Sequence, residues 1–165
     1  LLAACDSFEN IATIGIPITF DRTVSVVVDE STHYSFTDMD TISVEENFQV
    51  TENKSNIKSY QIKSVEYLVS QVGAATEPTL ETGTIIFSDL QGNQVVSASV
   101  ADLDLTELSK EKQVQTFAIE NEDLGKLGEL FHSNEEIKVQ YEATMDTTAT
   151  FTLDVSVKVS LKVGI

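Results

Sequence analysis

The sequence has a single cysteine, Cys5, and no tryptophan. One thiol cannot close an intramolecular disulfide, so the fold must be held by packing alone. Zinc sites of the common kind need Cys and His at short spacing, and this chain has one Cys and only two His, His33 and His132. The seven glycines are scattered, which excludes a glycine-rich phosphate loop, and no G-x-S-x-G elbow occurs. Basic residues are also scarce: 10 Lys and Arg stand against 27 Asp and Glu, a formal net charge of −17. A nucleic-acid partner requires clustered cations to displace counterions, so DNA and RNA are excluded as partners. The same charge repels anionic membrane surfaces. No apolar run is long enough for a membrane-spanning helix.

The scarcity extends to catalytic groups. A cysteine nucleophile needs a base beside it and a pocket around it. Cys5 lies at the extreme terminus, and His33 and His132 fall in loops or element ends. The expectation is a protein without enzymatic activity.

What the chain does contain is β-forming sequence. At 165 residues and 41% hydrophobic content it is long enough to bury the core of one domain. Ala12, Ile14, Ile16, Ile18 and Phe20 alternate with smaller or polar residues, and Val24, Val26 and Val28 continue the period. Pro17 places this run at a sheet edge or bulge, because proline has no N–H to donate. Asp21-Arg22 interrupts it, leaving open one bent strand or two. Weaker strand patterns cover 34–43 and 59–70, and residues 45–57 suit a short helix or loop. The runs 82–89 and 93–100 flank Leu90-Gln91-Gly92 and predict a β-hairpin. Ile137, Val139, Tyr141 and Ala143 mark another strand. Alternation from Ala149 to Ile165 is the longest regular signal. A strand of that length is expected to bend across two sheets or, if straight, to offer an edge to another chain.

One segment has helical spacing instead: Leu124, Leu127, Leu130 and Phe131 follow Asn121, Glu122 and Asp123. Asn121 reads as the N-cap, the acids suit the first-turn dipole, and Gly125 and Gly128 weaken the helix. The expectation is a short helix near 121–131 plugging one end of a sheet, with Leu124, Leu127 and Phe131 in the core. Taken together these elements predict an all-β protein, an antiparallel β-sandwich in an immunoglobulin-like arrangement. Tyr34, Tyr60, Tyr67 and Tyr141 lie within strand-like runs and read as core or sheet-surface residues rather than a sugar platform.

Leu2-Ala3-Ala4-Cys5 resembles the lipobox of bacterial lipoproteins, in which a leucine, two small residues and a cysteine end the signal peptide. The resemblance covers four residues plus the apolar Leu1. It implies cleavage before Cys5, a lipid on Cys5, and a polar tether at Asp6–Asn10. Residues 1–10 then form a signal remnant and tether, and 11–165 a single domain. Asp40-Thr41-Ile42 and Asp146-Thr147-Thr148 resemble the O-glycosylation sequon of Bacteroidetes envelope proteins, which implies Thr41 and Thr147 as acceptors. These resemblances imply a bacterial cell envelope, at the outer membrane or cell surface, with the membrane reached only through the lipid on Cys5.

The residues call for no cofactor. Calcium is the one ion whose ligand chemistry they match, through Asp38, Asp40, Asp102 and Asp104, although none has the spacing of a helix-loop-helix site. Two functions follow. The first is a structural or assembly subunit, of a fibre or complex, that pairs with a protein partner or itself by strand addition through its apolar N-terminal segment and overlong C-terminal strand. The second is a sandwich that binds calcium or a glycan through acidic loops.

Overall fold

Period-two alternation of Val, Ile, Thr and Ser builds nearly the whole fold. The computed structural model describes residues 12–165; Cys5 and the lipobox-like segment lie outside the described residues. Among the described residues there are eight strands: β1 (Thr13–Val28), β2 (Ser35–Ser43), β3 (Ile57–Gly73), β4 (Thr79–Ser88), β5 (Gln94–Asp104), β6 (Gln115–Thr116), β7 (Glu136–Met145) and β8 (Ala149–Gly164). Three α-helices accompany them: α1 (Phe48–Asn53), α2 (Leu105–Glu111) and α3 (Asn121–Ser133).

The strands form two antiparallel four-stranded sheets, ordered β1-β8-β3-β6 and β2-β7-β4-β5. Strand pairs run β1 with β8, β2 with β7, β3 with β6 and β4 with β5. A long hairpin folded over on itself, with its layers alternating between two sheets, has this pairing, and it defines a jelly roll. The antiparallel sandwich is as expected. Its wrapping differs from the immunoglobulin-like arrangement, because local alternation fixes which residues are strands and leaves open which sheet each joins.

Side chains at every second position meet between the sheets. Phe20, Val26, Val65, Val157 and Leu161 from one sheet face Ile42, Ile85, Phe87, Ile137 and Val139 from the other, all buried. Each such side chain contributes about 1.5–3 kcal/mol through loss of water contact. Tyr60, Tyr67 and Tyr141 are buried in this core and Tyr34 packs against it. β1 is one continuous strand across Asp21-Arg22 and lies at the edge of its sheet, where Pro17 is tolerated. The predicted hairpin is β4–β5. Its turn is closed by Asp89, whose carboxylate accepts from the Asn93 backbone N–H at 2.8 Å, and Gly92 takes a positive φ of 87°.

β8 corrects one expectation. It neither bends between the sheets nor protrudes. It pairs with β1 on one side and β3 on the other along nearly its full length, so it is an interior strand with no edge to offer. Its strict alternation reflects that position, one face on the core and the other on solvent.

α3 occupies the predicted helical segment, with Leu127, Leu130 and Phe131 buried and Leu124 packed against the core. Its N-cap position is Glu120, which makes no side-chain cap hydrogen bond, and Asn121, expected as the cap, is the first helical residue. It runs beside β3 rather than plugging a sheet end. A Cβ on Gly128 would stand 2.2 Å from the Tyr60 carbonyl oxygen, so the glycine lets the helix touch the strand backbone. α2 lacks the leucine repeat that marked α3. Asp104 caps it, accepting from the Glu107 N–H at 2.9 Å.

Candidate functional site

The residues that carried chemical expectations do not converge. Asp38 and Asp40 lie on β2, while Asp102 and Asp104 lie on β5, at opposite edges of one sheet with β7 and β4 between them. Asp104 is committed to capping α2. Among the described residues no group of three or more His, Cys, Asp or Glu is arranged to hold a metal ion. His33 sits in the β1–β2 turn and His132 in the last turn of α3, which leads into β7. The length of β2, about 25 Å at roughly 3.3 Å per residue, separates those two ends of the sandwich. Thr41 is exposed on β2, and Thr147 is half-buried in the β7–β8 turn, where the adjacent Asp146 carboxylate accepts from the Thr79 N–H at 2.8 Å.

An apolar cavity of about 40 Å³ lies between the sheets, lined by Val26, Phe36, Tyr67, Phe117, Tyr141 and Phe151 among others. Small-molecule sites run to roughly 300 Å³ and more, so this space is a packing gap. Tyr141 Oη is buried and without a hydrogen-bond partner among the described residues. Burial, chiefly, and the nearby Asp40 carboxylate push its ionisation well above the usual phenol range.

The informative chemistry is at the sheet edges. An edge strand exposes a row of N–H and C=O groups that another chain can pair with, and proteins guard such rows. Three of the four edges here are guarded from within. On β2, the Asp38 carboxylate accepts from the Met39 N–H at 2.9 Å and that of Asp40 accepts from the Thr41 N–H at 2.7 Å. Two free edge donors are thereby satisfied by the preceding side chains. The next group along, the Thr41 carbonyl, accepts from Arg22 Nη2 at 2.8 Å.

Arg22 is the charge that interrupts the β1 pattern. It occupies an inward position, between Phe20 and Val24, and its side chain is only 16% exposed. It reaches across from β1 to β2, donating to both Glu46 carboxylate oxygens at 2.8 Å and pairing with Asp40 at 3.3 Å. The hydrogen bond to Glu46, above all, raises its already high pKa. On β1 itself the Thr19 carbonyl accepts from Asn47 Nδ2 and the Asp21 carbonyl from Arg22 Nη1. Pro17, two residues before Thr19, has its missing N–H on the same side of the strand. The free side of β3 is covered by α3 at Tyr60, by β6 at Glu66 and Tyr67, and by the Phe117 N–H donating to the Val65 carbonyl.

The fourth edge is β5. Among the described residues, no side chain and no loop backbone hydrogen-bonds the outer side of Gln94–Ala101. α3 packs mainly on β3 and touches β5 without bonding to it. The strand has no proline and no charge from Leu90 to Ala101, in a chain with 27 acids. It pairs with β4 in unbroken register from Val96 to Asp104, after a bulge at Val95. Asp102, at φ 54°, ends the flat stretch. Sequence reasoning identified this segment only as a hairpin arm; its uncharged run was the available signal.

No family model matches this chain, and no curated protein matches it. Its sandwich is similar to solved viral structures. A decameric BFDV capsid protein is 9% identical over 91% of this chain and 99% of its own, with a TM-score of 0.44. Desmodium yellow mottle tymovirus is 10% identical over 92% and 90%, with a TM-score of 0.37. A subviral particle of infectious bursal disease virus is 15% identical over 93% of this chain and 38% of its own, with a TM-score of 0.38. At these TM-scores the likenesses carry no argument for this chain, and its fold is read from its own strand order.

Proposed function

We propose that the protein is a non-enzymatic structural subunit that works by protein–protein contact, accepting an added strand at the outer edge of β5. The single observation supporting this reading is the contrast among edges. β1, β2 and β3 spend carboxylates, an arginine, an asparagine, the helix α3 and the short strand β6 on groups of their backbone rows, while β5 keeps an uncharged row free of hydrogen bonds among the described residues. Main-chain bonds across such an edge supply affinity, and side chains on alternate positions supply specificity. The docking element assigned is β5, since β8 is interior.

We place the subunit at a bacterial cell envelope, held by a lipid on Cys5. Leu2-Ala3-Ala4-Cys5 supports this placement. Two measurements on protein from its native source test the reading. Intact mass should give a chain beginning at Cys5 with added acyl mass; an unmodified cysteine removes the anchor. Native mass of the extracted complex should exceed the 18.1 kDa of one chain. A lone monomer under every mild extraction contradicts the assembly role.

A further inference from the structure

The open edge of β5 has a feature that names its occupant. Val96-Ser97-Ala98-Ser99-Val100 reads the same in both directions about Ala98. All five residues lie in the unbroken part of the β4–β5 ladder, after the bulge at Val95 and before the positive φ of Asp102. We propose that β5 pairs with β5 of a second copy, antiparallel and centred on Ala98, joining two four-stranded sheets into one of eight strands. This rests on the reading of β5 as the docking edge and adds the identity of the partner.

Two-fold symmetry requires that one patch complement itself, with residue i meeting residue j and j meeting i. In this register Val96 lies opposite Val100 of the second copy, Ser97 opposite its Ser99, and Ala98 opposite its Ala98. Directly opposed residues in an antiparallel pair point to the same face. The valine pairs therefore fall on the core face, where Val96 is buried and Val100 half-buried. The serine pairs fall on the solvent face, where Ser97 and Ser99 are exposed. Small hydroxyl side chains can hydrogen-bond across the seam; Ser99 already meets Thr84 in this way at 2.9 Å on the β4 side.

Charge favours this edge over that of β2. Two copies at −17 each repel. A β2–β2 contact would stack Asp38 and Asp40 against their equivalents, whereas the β5 seam has no charge on either side. The nearest acid, Asp102, falls opposite Gln94 of the second copy, since positions summing to twice 98 face each other. Long-range repulsion is screened by salt while the short-range seam is not. Association should therefore strengthen as ionic strength rises, the opposite of an ion-paired interface.

The experiment is sedimentation of the full chain across a concentration series in 0.5 M sodium chloride, with two double variants. S97K/S99K puts lysine opposite lysine at both serine pairs and should weaken dimerisation about tenfold or more. S97K/S99E puts lysine opposite glutamate at both pairs and should restore it, an outcome only the Ala98-centred register gives. Both positions are exposed, so unchanged thermal midpoints serve as the folding control. Recovery by S97K/S99E supports the proposal. A wild-type chain that stays monomeric overturns self-pairing and leaves β5 to a different protein. A wild-type dimer that S97K/S99K leaves intact overturns the β5–β5 pairing.

Discussion

Arg22 on β1 grips Glu46 with both arms of its guanidinium, Nη1 to Oε1 and Nη2 to Oε2, each at 2.8 Å. The same side chain donates to the Thr41 carbonyl on the edge of β2. One residue thereby ties the two sheets together along their β1–β2 side and closes a backbone acceptor. The planar fork is what makes both bonds simultaneous, and a lysine has no fork. Arg22→Lys keeps the charge and should cost about 1–3 kcal/mol, read from urea unfolding. A loss near zero would show that the bridge is ornamental to stability.

Asp38 and Asp40 offer a second test, because they guard by hydrogen-bonding their own edge N–H groups. Replacing both with alanine frees the Met39 and Thr41 donors and removes inward charges from an edge strand. The double variant should form larger species at concentrations where the parent does not, measured by light scattering. An unchanged size distribution would mean that the carboxylates do not protect this edge.

The two α3 glycines should respond in opposite directions. Among the described residues nothing lies within 4 Å of a Cβ built on Gly125, so Gly125→Ala gains helix propensity, roughly 0.5–1 kcal/mol. Gly128→Ala would drive a methyl group into the Tyr60 carbonyl and should cost about 1–3 kcal/mol through forced displacement of helix or strand. Thermal melts of the two variants check the signs; a stabilising Gly128→Ala would mean that α3 does not touch β3 as described.

Tyr141 carries a buried hydroxyl with no hydrogen-bond partner among the described residues. Tyr141→Phe removes an unpaired polar group and should leave stability equal or higher by up to about 1 kcal/mol near pH 7. Its pKa is raised above the ordinary 10.0, chiefly by burial. The neutral phenol's contribution is therefore complete below pH 10 and lost as pH climbs through the folded-state value. The Phe variant should lose less stability than the parent above pH 10, measured by denaturant unfolding at fixed alkaline pH values. Equal alkaline losses would contradict the assignment.

How much of this was legible in the sequence follows from the range of each interaction. Alternation at Ile18–Val28, Ile137–Ala143 and Ala149–Val163 marked true strands, because burial of one face leaves a period of two. The leucine spacing marked α3. Asp104 and Glu107, three apart, carried the signal for α2, which the hydrophobic pattern missed because only Leu105 of that helix is buried. Sheet order was invisible: nothing local in Thr152 or Ser160 reveals strands on both sides of β8. Pro17 announced an edge correctly. The roles of Arg22, Asp38 and Asp40 were hidden, since their partners are distant in sequence or are their own backbone. A charge at an inward position, as at Arg22, was the readable hint.

The central claim is that β5 is the edge through which this subunit assembles, and backbone amide exchange reads it directly. Exchange should be followed residue by residue in dilute and concentrated protein in 0.5 M sodium chloride. The account predicts that the outward N–H groups among Val96–Ala101 exchange fast when dilute and become protected on concentration, while those of β2 stay unchanged. Protection that appears along β2 or β1 instead, or none anywhere while larger species form, would contradict it.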